Sequence, residues 1–159
     1  MSIESFILAR VAHIVGVVIW IGGVFFVTFV LLPALKNFPL NERLSIFERL
    51  EHRFGYWARL AIIMVGISGV LLANQIGFWQ RLAEKQLWPI HLMLFVWVIF
   101  FIMLFVLEPF IVHKLFHRYA SEKPIQAIKV AAVIHWVLCG LSFTAIIGGV
   151  MLAHGWSFY

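Results

Sequence analysis

The chain has 159 residues, of which 64% are hydrophobic and 12% charged, and its mean hydropathy is +1.01. A soluble domain is nearer half apolar and a quarter charged, so this composition excludes one and points to a single domain, 1–159, embedded in a lipid bilayer. The net charge of +5 excludes nucleic acid as a partner, because no basic run is interleaved with stacking aromatics; in a membrane chain such residues set orientation instead.

Four apolar segments reach the roughly 20 residues needed to cross a bilayer. The first covers about 5–35 and ends where Pro33, Lys36, Asn37 and Pro39 mark an exit. It starts almost at residue 1, with neither a basic leader nor a small-residue cleavage site, so it reads as a spanning helix and not as a removable signal. A charged amphipathic stretch follows, with Leu44, Phe47 and Leu50 on one face and Asn41 as its expected N-cap. It leads into the second helix, about 44–76, whose spanning part is 54–76. Polar residues from Asn74 to Lys85 form the next connection, and Trp88-Pro89 opens a third helix over about 88–118, with a kink expected at Glu108-Pro109. The fourth helix covers about 124–153. The fold class predicted is an all-α integral membrane protein built as a four-transmembrane-helix antiparallel bundle.

Lysine and arginine fall unevenly along this pattern. Lys36, Arg43, Arg49, Arg53 and Arg59 surround the first connection and Lys114, Arg118, Lys123 and Lys129 the third, whereas the opposite side carries Arg10, Arg81 and Lys85. By the positive-inside rule the first and third connections are cytoplasmic and both termini periplasmic, as in a multi-pass protein of a bacterial inner membrane.

The seven histidines separate by depth. His13 lies about two turns into the first helix and His91 one turn into the third, both counted from the outer end. The two helices run in the same direction, so two imidazoles at similar depth could ligate both faces of one haem. His13 belongs to a stripe of Arg10, His13, Gly16, Trp20 and Gly23. On it Gly16 would make room for a macrocycle, Trp20 would wall it and Arg10 would pair with a propionate. A histidine hydrogen-bonded to a neighbouring helix, with small residues that simply allow close packing, accounts for the same stripe without a cofactor. His52, on a face with Tyr56, Arg59 and Gly66, and His135, on a face with Cys139 and Ser142, form a second pair toward the inner side, offset by about 15 Å at ~1.5 Å per residue. His113 is a rival inner ligand and, with His117, a weaker metal pair. The single cysteine, Cys139, excludes a disulfide within the chain and a multi-cysteine cluster. No phosphate loop or nucleophile elbow is present.

The first helix, with His13, Trp20 seven residues on and Gly23 three beyond, resembles the opening helix of the small membrane proteins around the copper-resistance protein D family and the HemJ-type protoporphyrinogen oxidases. The Glu-Arg entry of the second helix with its late Gly69, and Trp88 with His91 at the start of the third, are similar to the same proteins. The resemblance implies a four-helix membrane core and, from the HemJ branch, haem b held by His13. The chain departs at Val27-Thr28-Phe29-Val30, which lacks that branch's arginine, and at Leu92-Met93-Leu94-Phe95, which lacks its lysine. The function expected is a haem b-binding membrane cytochrome with one or two bis-histidine haems, passing electrons between a quinol or small oxidant and a partner protein. Copper transport, drawing on Cys139 with Met64, Met93, Met103 and Met151, and porphyrin oxidation are the alternatives. Oligomeric state is left open, a homo-oligomer included.

Overall fold

A computed structural model describes residues 2–112 and 124–156, with backbone alone at 40, 41, 109–112 and 124. The described residues are helical, without strands, and four helices are long and apolar enough to cross a membrane. We label them α1 (Ile3–Phe26), α2 (Leu40–Gln75), α3 (Trp88–Ile102) and α4 (Pro124–Ala153). Helix α1 packs chiefly on α2 and α3 chiefly on α4, so the fold is two antiparallel hairpins laid against each other. Many large apolar side chains remain exposed, among them Val18, Ile67 and Val133, as expected of helices whose outer faces meet lipid.

Helix α1 begins at Ser2, whose hydroxyl accepts the Ser5 N–H at 3.3 Å, the usual way a serine satisfies a free first-turn donor. Beyond Phe26 the chain keeps coiling as a π-helical turn, Val27–Leu31, and then as short turns to Asn37. Helix α2 starts at Leu40, four residues before the expected 44, with Pro39 in the flanking position. Asn41 therefore lies inside the first turn, and the N-cap expected there is not formed. The tie at this corner comes instead from Arg43, which donates to the carbonyls of Phe38 at 2.8 Å and Lys36 at 3.0 Å. A guanidinium on carbonyls left over by a helix end is favoured both by hydrogen bonding and by the helix dipole.

The kink expected at Glu108-Pro109 takes a different form. From Met103 to Val112 the third helix is wound as a π-helix, so the change begins six residues before the proline. Pro33 likewise follows the π-helical turn of the first span. Proline has no N–H, and its ring crowds the carbonyl four residues back; the wider winding relieves that crowding without breaking the helix. The part of the third segment expected at 113–118, with His113 and His117, lies outside the described residues.

Glycines set how closely the helices approach. A Cβ on Gly16 would stand 2.7 Å from Val65 Cγ2, and one on Gly66 2.6 Å from the indole of Trp97. Gly23 receives Phe54 and Gly149 receives Met93. Each notch is filled by a side chain from the facing helix, the small-residue packing by which membrane helices associate where lipid offers no hydrophobic driving force. The main core joins Trp20, Val24, Ile62, Val65, Phe100 and Cys139, with Trp20 edge-on to Phe100 at 4.8 Å. A smaller core around Leu31, Leu35, Phe47 and Ala131 closes the end nearest the α1–α2 corner.

Candidate functional site

His13 falls on the buried stripe of α1, between Ala9 and Gly16, and enters the seam with α2. Its ring edge lies against Gly69, where a Cβ would be 3.3 Å from Cε1. Its Nδ1 is 3.2 Å from the Ser68 hydroxyl, which is itself buried. Ser68 Oγ lies only 2.6 Å from the Met64 carbonyl, one turn back on its own helix. A hydroxyl has one proton, and with the Met64 carbonyl at that distance and the Val65 carbonyl at 3.2 Å to take it, Ser68 is assigned as the acceptor from His13. The imidazole is thereby held as the Nδ1–H tautomer with its lone pair on Nε2, the arrangement by which a second residue orients a ligating histidine.

His91 stands at a comparable depth. Because Gly66 faces Trp97 and Gly69 faces His13, His91 is about one turn, ~5 Å, farther out than His13. Its neighbours are different, however. Nδ1 is 2.8 Å from the Leu87 carbonyl, Nε2 is 3.0 Å from the Leu82 carbonyl, and the ring lies 5.2 Å from Phe78. The side chain thus pins the Phe78–Leu87 connection onto the start of α3, and the structure brings it against main chain, not against His13.

At the other end His135 donates Nδ1–H to the Ala131 carbonyl at 2.9 Å, which again leaves the lone pair on Nε2. Its ring meets Phe47 at 6.2 Å. Phe47 is therefore the α2 residue on this face, and His52, five residues on and about 140° around the helix, is turned away and exposed. The Thr28 hydroxyl donates to Val24 O at 2.7 Å and lies 3.5 Å from His135 O, which sets His135 level with Thr28. That is fifteen residues along α1 from His13, or about 22 Å, too far for one iron. Among the described residues no three His, Cys, Asp or Glu side chains are grouped to hold a metal ion.

The remaining stripe residues take the following places. Arg10 is exposed one turn outward of His13. Gly16 is occupied by Val65 and Met64, so the space expected there for a macrocycle is filled. Trp20 is 3% exposed in the core, and its Nε1 has no hydrogen-bond partner among the described residues, as is also true of buried Ser142 Oγ. The residues thus offer a haem the right donor chemistry, while the space within the bundle beside Gly16 is packed. A macrocycle on His13 would have to lie outward of this packing, where the half-buried ring and exposed Arg10 meet the surface.

Arg59 does something sequence reading did not foresee. It pairs with Glu108 at 2.8 Å, beside Gly55, and its Nε donates to Leu104 O at 3.2 Å. In π-helical winding the Leu104 carbonyl would accept from the residue five ahead, and that residue is Pro109, which has no N–H. Arg59 supplies the missing donor. The signal was in the sequence as a proline inside an apolar span, but the partner is 45 residues away. On the connection between α2 and α3 Arg81 and Glu84 make a two-bond pair at 2.7 Å each; hydrogen bonding to Arg81 holds the Glu84 carboxyl below the usual carboxylate range.

Comparison with protein-family models, with curated proteins and with solved structures finds no match to this chain.

Proposed function

We propose that this chain is a small haem b-binding membrane cytochrome, of the kind suggested by its resemblance to the copper-resistance protein D and HemJ group, carrying electrons between a quinol or small oxidant and a partner. The observation that supports it is the His13–Ser68 contact, which sets an imidazole in an apolar seam with Nδ1 spoken for and Nε2 as its lone pair. A buried ionisable side chain in a membrane helix is a functional candidate by default. In this reading bound haem supplies one-electron exchange. Ser68 would orient His13, Arg10 would hold a propionate at the end of the span beyond His13, and the flanking apolar side chains would exclude water. A second imidazole would come from His91, once its side chain leaves the Leu82 and Leu87 carbonyls, or from His13 of a second copy. His135, with the same lone-pair arrangement, is the candidate for a second haem. The charge asymmetry orients the protein in a bacterial inner membrane with both termini periplasmic.

Haem-to-protein stoichiometry of protein expressed with ample haem tests this. His13→Ala abolishes the outer haem, and Ser68→Ala weakens it by roughly 10–100-fold, the usual cost of losing an orienting partner. His91→Ala removes the same haem if His91 is the second ligand; retention at one haem per two chains indicates a shared site. Absence of a Soret band from the wild type, or full haem in His13→Ala, would refute the reading.

A further inference from the structure

A second site lies at the far end of the molecule, where the tail of the first span meets the start of α4. A cavity of about 210 Å³ is lined there by Leu32, Ile128 and Trp136 among apolar residues and by Lys36, Arg43 and Lys129. The apolar wall runs from Ile128, beside Lys129, to Trp136, seven residues past Lys129 and about 10 Å farther along α4, so it begins level with the cations and continues into the span. None of the three cations is paired with a carboxylate among the described residues. Arg43 is fixed by the Phe38 and Lys36 carbonyls, while Lys36 and Lys129 are exposed.

We infer that this cavity is a binding site for an anionic phospholipid, with the phosphate on Lys36, Arg43 and Lys129 and an acyl chain running past Ile128 and Trp136. Charge complementarity selects the head, because the cavity presents three positive groups and, among the described residues, no acid. The apolar wall selects a lipid over a small soluble anion, and at 210 Å³ the cavity, below the about 300–1,000 Å³ of a pocket that encloses a drug-sized ligand, holds only part of one. Trp136 is itself half exposed, so the rest of the occupant runs out along the lipid-facing surface. Basic pockets between membrane helices recognise anionic headgroups in this way.

The test is a lipid titration of the whole protein in detergent, read by native mass spectrometry and by melting temperature, with phosphatidylglycerol, phosphatidylcholine and inorganic phosphate as separate probes. Phosphatidylglycerol is expected to bind and to raise the melting temperature, and the other two are expected to do neither. Lys36→Gln with Lys129→Gln weakens that binding roughly 30-fold, the loss of two surface cations. Arg81→Gln with Lys85→Gln, at the opposite end, leaves it unchanged. Ala132→Trp fills the cavity without altering its charge and also abolishes the binding. Equal binding of phosphatidylcholine, competition by inorganic phosphate, or equal losses from the two double variants would overturn the inference.

Discussion

His13 and Arg59 are both polar side chains set into the α1–α2 hairpin, near opposite ends of its apolar span, and their bonds are spent differently. Arg59 is consumed by the fold: one nitrogen replaces the donor that Pro109 lacks, and another neutralises Glu108. His91 belongs to the same class, with both ring nitrogens on main-chain carbonyls. His13 is tied to the facing helix by the Ser68 hydroxyl and the Val65 main chain, and that hydroxyl is itself bonded to the Met64 carbonyl. Depth in the membrane does not separate these histidines. What separates them is what the ring nitrogens meet, two main-chain carbonyls at His91 and a serine hydroxyl at His13, and that is a property of neighbours, not of position.

The contrast is most exposed to test at Arg59. Arg59→Ala leaves Leu104 without a donor and Glu108 without its counter-ion, and should cost about 2 kcal/mol, the range for hydrogen bonds to charged groups. The ion pair, about a third exposed, accounts for the lesser part of this. Pro109→Ala restores an N–H at that position, so in its background the same Arg59→Ala change should cost about 1 kcal/mol less, a coupling typical of residues sharing a partner. Equal costs in the two backgrounds, measured by denaturation in one detergent, would mean that Arg59 does not stand in for the proline.

A smaller effect is expected at His91. His91→Ala removes two contacts to main chain and should cost about 1 kcal/mol, with faster amide hydrogen exchange confined to residues 78–87. If protection is lost evenly across α3 instead, His91 is not a local pin and its contrast with His13 dissolves. The smallest effect belongs to the exposed Arg81–Glu84 pair, where the depressed carboxyl means that the pair's contribution is present above the ordinary glutamate range and lost as pH falls through the lowered value. An NMR titration should place the Glu84 midpoint below that of an ordinary glutamate and return it to that range in Arg81→Ala, with no measurable change in melting temperature.

Much of the architecture was legible in the residues. Four helices long and apolar enough to span a membrane lie where they were expected, with the end of the third outside the described residues, because hydropathy is a local sum along the chain and needs no partner to be read. Of the face expected at the start of α2, Leu44, Phe47 and Leu50, the helical period found buried Phe47, whereas Leu50 is exposed. The amphipathic start of α2 was placed four residues late, because Asn41 offers a capping side chain but the chain turns at Pro39 and is tied there by Arg43 instead. Of the expected inner pair, His52 and His135, only the second faces inward. One stripe of period 3.6 cannot say which of two helices another will lean upon.

The sequence by itself determined that this chain is helical, that it carries four segments able to cross a bilayer, and that its positive charge gathers at one end, because each of these is set by composition and by spacing within a single segment. Only the tertiary structure decided what the polar side chains do. His13 meets its serine across 55 residues, and Arg59 meets Leu104 across 45. The notch at Gly16 is filled by Val65 of another helix. In an apolar medium a buried hydrogen-bonding group has to find a partner wherever the fold brings one, and that partner is chosen by which helices pack together, not by what stands beside the group in the chain.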